Sequence, residues 1–392
     1  MELKIKNILE RNTEDILIKS HLQKALNSKK KLRVKFGTDP TGPKIHLGRA
    51  VPLWKLKEFQ DLGHTIVLII GGFTAQIGDP SDKLSKRPFL SEKEINDNMK
   101  DYKKQLGMIL DMKKVEIHNN NDWLSKMSAG TLTKLAEVFS VQQMLVRRNF
   151  KQRYKDGVEI ELRELFYPIF QGYDSVEIKA DVEIGGFDQL FNLTAGRDMQ
   201  KHHGQKPQDI ITTKMLNGLD GRKMSTSWGN VVNISDPPND MFGKIMSMKD
   251  EMIVDYYMLC THLPETDIEN IEEDIKKGGN PRDHKSNLGY EIVKLYHGDK
   301  KAHQAQKEFE NIFKNKNKPT KIPSIKLQAR SLKLIDLLNE LTLIPSKAEG
   351  RRLIEQGAVK LNDKVKKQWD QEIEIISGTI VQVGKRKFAQ IK

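Results

Sequence analysis

Residues 32–70 read LRVKFGTDPTGPKIHLGRAVPLWKLKEFQDLGHTIVLII, and the changes of pattern inside this stretch decide the fold. Residues 32–36 alternate enough to form a strand, and residues 37–42 are rich in turn formers. Val51, Leu53, Trp54, Leu56 and Phe59 then recur at near-helical spacing until Gly63 supplies a stop. Residues 65–70 are an unbroken apolar, largely β-branched run. A run without polar alternation suits a parallel strand covered on both faces, so the stretch is a strand, helix, strand unit of an open, doubly wound sheet.

Further strand candidates at residues 176–184 and 210–215 alternate with helical segments and carry the pattern to about residue 220. The expected fold class is therefore α/β: a Rossmann-like doubly wound parallel-sheet domain of nucleotide type over residues 1–230. Beyond Pro237-Pro238 the periodicity becomes helical, with candidates at 241–248, 251–260, 266–276, 282–296 and 302–313, which predicts an all-α domain over 231–313. Residues 314–330 hold Lys, Asn and two prolines with few apolar anchors and read as a linker. The apolar pattern resumes to give a small α+β domain over 331–392.

Composition limits the function. The chain has 392 residues, 37% hydrophobic and 30% charged, with a mean hydropathy of −0.59, which excludes a disulfide miniprotein, a disordered chain and a membrane protein. The longest apolar stretch is far short of the roughly 18 residues that cross a bilayer. The opening MELKIKNILE lacks the pattern of a secretory signal, so a cytoplasmic location is expected. Cys260, the single cysteine, lies in the apolar run YYMLC and reads as core. The net charge is +13, and residues 311–392 carry 18 Lys plus Arg against 8 Asp plus Glu. A nearly balanced body with a basic C-terminal end points to a phosphate-bearing partner.

Two loops carry chemistry. The first, Asp39-Pro-Thr-Gly-Pro-Lys-Ile-His46-Leu-Gly48-Arg49, runs from the first strand into its helix, where unpaired N–H groups and the helix dipole favour phosphate. Gly48 would let a flat base pack on the backbone, and His46 could donate to a phosphate oxygen. The second, Gly221-Arg222-Lys223-Met224-Ser225-Thr226-Ser227, offers a flexible ammonium for a pyrophosphate leaving group and hydroxyls that bond phosphates or brace the loop. Either loop alone reads equally as a polar surface turn. In this order, on either side of a parallel-sheet domain, the pair is specific.

His46-Leu-Gly48 and Lys223-Met-Ser225 resemble the paired signatures of class I aminoacyl-tRNA synthetases. Ile77-Gly-Asp79-Pro-Ser, Tyr167-Pro-Ile-Phe-Gln171-Gly-Tyr-Asp174 and Gly185-Gly186-Phe-Asp188-Gln189 resemble segments of the tyrosyl-tRNA synthetases, and the likeness runs from about residue 30 to the end. It implies that Asp79, Tyr167 and Gln171 hold the ammonium of a tyrosine substrate and that Asp174 accepts from its phenol. It implies that Asp188 holds the ATP ribose beside Gly186, with Gln189 near the ribose or the reacting carboxylate. His46, Lys223, Lys83 and Arg87 would act on the phosphates, and Asp39, Gly48, Met224 and Ser225 would complete the nucleotide site. The spacing of Tyr167, Gln171 and Asp174 independently puts them on one helix face.

The implied reaction forms tyrosyl-adenylate and then esterifies tRNA(Tyr). Magnesium would travel with ATP, no protein metal site is expected, and His202-His203 reads as a solvated pair. At the C-terminal end, Ser346-Lys-Ala-Glu349 is a capping box opening a helix that Gly357 ends, with Lys347, Arg351 and Arg352 on it and a hairpin after it. This resembles an S4-type RNA-binding domain. Family likeness further implies a homodimer. Arg49, Thr226 and Lys35-Phe36 depart from the family's usual second histidine, second lysine and strand-end tyrosine. A tryptophanyl-tRNA synthetase, a non-catalytic RNA-binding regulator and a small nucleotidyltransferase stay open as alternatives, with Asp174 and the basic tail favouring the tyrosine reading.

Overall fold

The computed structural model describes residues 1–81, 91–313, 322–327, 329–384 and 387–392, which form two compact units. The first comprises Met1–Pro237 and Ser247–Leu288. Its sheet contains β1 (Thr13–Ile16), β2 (Arg33–Thr38), β3 (Thr65–Ile70), β4 (Val115–Asn119), β5 (Val182–Gly186) and β6 (Asp209–Thr213), in the order β1-β6-β5-β2-β3-β4. All neighbours are parallel except β1, which runs antiparallel to β6 at the edge. Val34, Ile66, Val67, Leu68 and Ile69 are almost wholly buried, as a sheet covered on both faces requires. The order of strands reverses between β2 and β5, and at such a switch point the loops leaving the strands diverge and open a crevice.

Four expectations need correction. Residues 176–184 are not one strand: the helix Leu162–Glu177 runs through Val176, Lys179 turns the chain with φ of 51°, and β5 starts at Val182. The period-two run of apolar residues there is a buried helix end followed by a buried strand. β1 and β4 were not predicted, because their sequences TEDI and VEIHN are short and half polar. The helices of 231–313 are shared between the units. Ile253–Cys260 belongs to the first, where Tyr256 donates to the Asn217 carbonyl at 2.9 Å and Arg11 donates to the Thr261 carbonyl at 2.9 Å. Part of the expected linker, β7 (Ser324–Ile325), is paired in a sheet.

The second unit comprises Pro238–Met246 and Gly289–Lys392. The helices Pro238–Met246 and Asp299–Phe313 meet through the Phe242 and Phe309 rings, 5.4 Å apart. The C-terminal part adds β8 (Ser331–Lys333), β9 (Val359–Leu361), β10 (Lys364–Lys366), β11 (Glu372–Glu374), β12 (Ile380–Val383) and β13 (Lys387–Ile391). One sheet has the order β10-β9-β12-β13-β7, and β8 pairs with β11. The helices Leu334–Glu340 and Lys347–Glu355 close a core of Leu337, Leu338, Ile354, Val359 and Val381. The expected hairpin is β9–β10, turned by Asn362 and Asp363, both at positive φ as a two-residue turn demands. Among the described residues no helix is long and apolar enough to cross a membrane.

Candidate active site

The carboxyl ends of the parallel strands of the first unit open into one cavity of about 740 Å³. Asp39 follows β2, Thr74 and Asp79 follow β3, Asn120 follows β4, Asp188 follows β5 and Lys214 follows β6, and all six line it. Gly71 makes the crossing after β3 possible, since a Cβ there would lie 1.9 Å from Asp39 Oδ1.

At one end the two loops meet. His46 caps the helix Leu47–Asp61, with its Nδ1 accepting the Arg49 N–H at 3.3 Å. An imidazole that accepts at Nδ1 carries its proton on Nε2. Burial, followed by the neighbouring Arg49 charge, pushes the His46 pKa down to about 3, so the ring is a neutral donor rather than a cation. A Cβ on Gly48 would lie 3.3 Å from the His46 ring and 3.3 Å from Met224 Sδ, so the first loop and the second touch across this glycine. Backbone bonds Leu47 N to Val232 O and Ile234 N to Ile45 O, both 2.9 Å, stitch the segment after the second loop to the start of the helix.

Asn230 braces the second loop: its Oδ1 accepts from Ser225 N at 2.8 Å, and its Nδ2 donates to the Lys223 carbonyl at 3.1 Å. Lys223 Nζ stands 3.9 Å from Asp188 Oδ2. Arg49 reaches Thr41 Oγ1 at 3.0 Å and the Tyr102 hydroxyl at 3.4 Å.

The other end is polar and buried. Asp174 is 3% exposed; its Oδ1 accepts from Trp123 Nε1 at 2.9 Å and its Oδ2 from Asn120 Nδ2 at 3.2 Å. Burial lifts its pKa to about 7, against the opposing pull of the Lys35 charge. Tyr167 donates to Asp39 Oδ2 and Thr74 to Asp39 Oδ1, both at 2.8 Å, so Asp39 joins the two ends rather than serving the nucleotide side alone. Asp79 accepts from Ser81 N at 2.9 Å, Gln189 Nε2 at 2.5 Å and Asn192 Nδ2 at 3.4 Å.

Every candidate of the first unit that the structure describes lines this cavity: Asp39, His46, Gly48, Asp79, Tyr167, Gln171, Asp174, Gly186, Asp188, Gln189, Lys223, Met224 and Ser225. Lys83 and Arg87 lie outside the described residues. Lys347, Arg351 and Arg352 are exposed in the second unit, where Lys347 pairs with Asp336 and Arg352 with Glu349, each at 2.6 Å, and Arg351 covers the Trp369 ring at 4.0 Å. Glu349 thus serves Arg352, and the Ser346 hydroxyl alone caps the helix, accepting Glu349 N at 3.3 Å. Among the described residues no group of three or more His, Cys, Asp or Glu is placed to hold a metal ion. Sequence reasoning missed Asn120 and Trp123; their one signal is position just beyond a strand that itself went unrecognised. Cys260 is buried, and burial pushes its thiol up, which leaves it unreactive.

Residues 27–314 match the model of tRNA synthetases class I (W and Y), and residues 312–391 match the Tyrosine--tRNA ligase SYY-like C-terminal domain. Tyrosine–tRNA ligases of Thermotoga maritima and Francisella tularensis are 44% and 45% identical, covering 98% of this chain and 96% and 97% of theirs. The chain belongs to the tyrosyl-tRNA synthetase family. Its fold resembles a C-terminally truncated mitochondrial tyrosyl-tRNA synthetase of Aspergillus nidulans, with a TM-score of 0.65 at 22% identity over 79% of this chain and 94% of that one. A tryptophanyl-tRNA synthetase of Plasmodium falciparum also shares the fold, with a TM-score of 0.58 at 16% identity over 78% of this chain and 89% of that one. Membership of the tyrosyl-tRNA synthetase family therefore rests on the sequence relatives and not on fold alone.

Proposed function

We propose that this member of the tyrosine–tRNA ligases activates L-tyrosine with ATP and transfers the tyrosyl group to the 3′ end of tRNA(Tyr). The observation that carries this reading is the meeting of His46, Gly48 and Met224 at one end of a cavity whose other end holds a buried carboxylate, Asp174. In the first step a carboxylate oxygen of tyrosine bonds to the α-phosphorus, the bond to the bridging oxygen breaks, and pyrophosphate leaves. The nucleophile is already an anion, so alignment and charge do the catalysis. His46 Nε2–H and Lys223 stabilise the charge developing on the phosphates, and Asp188 holds the ribose. Asp79, Tyr167 and Gln171 surround the ammonium, while Asp174 accepts from the phenol. In the second step a ribose hydroxyl of the terminal adenosine attacks the acyl carbon, and AMP leaves.

Magnesium belongs to the bound nucleotide in this scheme, which asks for no carboxylate cage from the chain. The exposed basic helix Lys347–Glu355 is the expected contact for the RNA phosphates. A homodimer is supported by exposed apolar side chains gathered between residues 141 and 162: Val141, Val146, Tyr154, Val158 and Leu162. Exchange of labelled pyrophosphate into ATP, run with tyrosine, tryptophan and phenylalanine in parallel, tests the activation step and its choice of amino acid. Exchange driven by tyrosine alone supports it, whereas exchange driven by tryptophan, or none from folded protein, overturns it.

A further inference from the structure

Lys35-Phe36 stands near the end of β2, where the resemblance implies a tyrosine, and the structure shows what Lys35 does. It is fully buried and does not line the cavity, although its neighbour Phe36 does. It sits on β2 directly opposite Glu183 on β5, across the switch point, and Glu183 is buried as completely. Lys35 Nζ lies 2.9 Å from Glu183 Oε1 and donates to the Gln171 carbonyl and to Ser175 Oγ at 2.8 Å each. An ammonium has three hydrogens, and these three acceptors use them. Lys35 therefore has nothing left to offer a phenol, and recognition of the hydroxyl falls to Asp174.

Glu183 gathers the rest of the cluster. Its Oε1 accepts from Gln171 Nε2 at 3.2 Å, and its Oε2 accepts from Ser175 Oγ at 3.1 Å and from Gln208 Nε2. Lys35 can only donate and a carboxylate can only accept, so the direction of every bond between them is fixed. Ser175 receives from one and gives to the other. Gln171 must turn its NH2 toward Glu183, which leaves its amide oxygen as the atom it presents to the cavity. An amino acid's ammonium needs an acceptor there; a reversed amide would point its own N–H groups at a cation.

We propose that the buried Lys35–Glu183 pair is a positioning pair that holds the Gln171 amide in the orientation that accepts from the substrate ammonium. This deepens the tyrosine reading and rests on it. Neutral residues at both positions would lift the constraint: Lys35 alone still holds a glutamine's oxygen where Glu183 Oε1 stands, but with Met at 35 the amide can turn and let Gln171 turn with it. Ionic character, rather than packing volume, is what the cluster contributes to binding.

The test is the neutral double variant Lys35→Met/Glu183→Gln, assayed by pyrophosphate exchange, alongside competitive inhibition by 3-(4-hydroxyphenyl)propionate, which keeps the phenol and carboxylate but lacks the ammonium. The KM for tyrosine should rise about ten- to hundredfold, the cost of one charge-assisted hydrogen bond, with kcat and the KM for ATP held within about twofold. The inhibitor's affinity should stay level. An equal loss for tyrosine and inhibitor would show a merely structural role, and an unchanged tyrosine KM would remove the pair from ammonium binding. If the double variant does not fold, Glu183→Gln alone is the second reading: Lys35 still fixes the amide oxygen toward Gln171, so the KM for tyrosine should stay within about twofold, and a tyrosine-specific rise would overturn the proposal. Failure of the unaltered protein to exchange with tyrosine would instead overturn the functional reading, leaving the two failures distinct.

Discussion

The two ends of the cavity are built in opposite ways. At the amino-acid end most functional groups stand on regular elements, Lys35 and Glu183 on strands and Tyr167, Gln171 and Asp174 on one helix, while Asp79 and Asn120 follow β3 and β4; Lys35, Glu183, Asp174 and Asn120 are at most 3% exposed. At the phosphate end they stand on loops, and the Lys223 side chain is 41% exposed. Selecting a side chain requires donors and acceptors that cannot move to suit the wrong one, and burial between a helix and a sheet provides that. Stabilising a charge that exists only during reaction requires groups that reach it then, and a partly solvated lysine on a short loop can do so.

Breaking the fixed end should produce the largest effect. Asp174→Asn preserves shape but replaces one acceptor oxygen with a donor facing Trp123 or Asn120, and it removes the charge that receives the phenol. Selectivity for tyrosine over phenylalanine, measured as the ratio of kcat/KM in exchange, should fall about a thousandfold, as expected when a buried charged hydrogen bond is lost. An unchanged ratio would take Asp174 out of hydroxyl recognition. Breaking the loop end should change rate and leave selection alone. Lys223→Ala should slow adenylate formation about a hundredfold, followed as single-turnover release of pyrophosphate, with tyrosine binding unmoved. A matching loss of tyrosine affinity would contradict the separation of the two ends.

Protonation sharpens the same contrast. Asp174 titrates near pH 7 because burial disfavours its charge, and a phenol donates best to the ionised form. Between pH 6 and 8 the ionised fraction climbs from about a tenth to about nine tenths, so tyrosine affinity should improve roughly tenfold by calorimetry. Stability moves the other way. The folded pKa lies above the unfolded value of 3.8, so the protonated carboxyl's contribution is complete below about pH 4 and lost as pH rises through about 7. His46 opposes this at the acid side: its folded pKa lies below the unfolded 6.5, so its contribution is present above about pH 6.5 and lost as pH falls toward 3.

The loop end was far easier to read in the sequence than the fixed end. His46, Gly48, Lys223 and Met224 lie in two compact motifs whose turn residues and charges announce themselves. The unit over residues 32–70 was legible too, because β3 is an unbroken apolar run and the helix Leu47–Asp61 carries its period plainly. The amino-acid end is assembled from residues on two strands, one helix and the loops after β3 and β4, and its polar members hide inside apolar-looking strands. Lys35 in LRVKF and Glu183 in VEIGG read as solvent-facing positions of half-buried strands. Only their pairing across β2 and β5 places each where a charge can be buried, and pairing partners are not written in local pattern. The period-two run at residues 176–184 failed for a related reason, since a helix end and a strand start happened to continue one rhythm.

The smallest effect should come from adding charge at the loop end. Among the described residues there, Lys44 and Arg49 supply the positive charges of the first loop while His46 stays neutral, and Thr226 opens a single 3-10 turn, Thr226–Trp228, beside Lys223. Thr226→Lys places a second ammonium on the second loop at an exposed position, where an ionic contact is worth about 0.2–1 kcal/mol. Exchange should quicken about two- to fivefold at low ionic strength, and the gain should fade near 0.5 M salt as screening shortens the reach of exposed charges. The ratio of tyrosine to phenylalanine should not move at either salt concentration, because nothing at position 226 touches Asp174 or the Lys35–Glu183 cluster. A change in that ratio would mean that charge at the loop end is felt at the amino-acid end, and the two would have to be treated as one electrostatic unit.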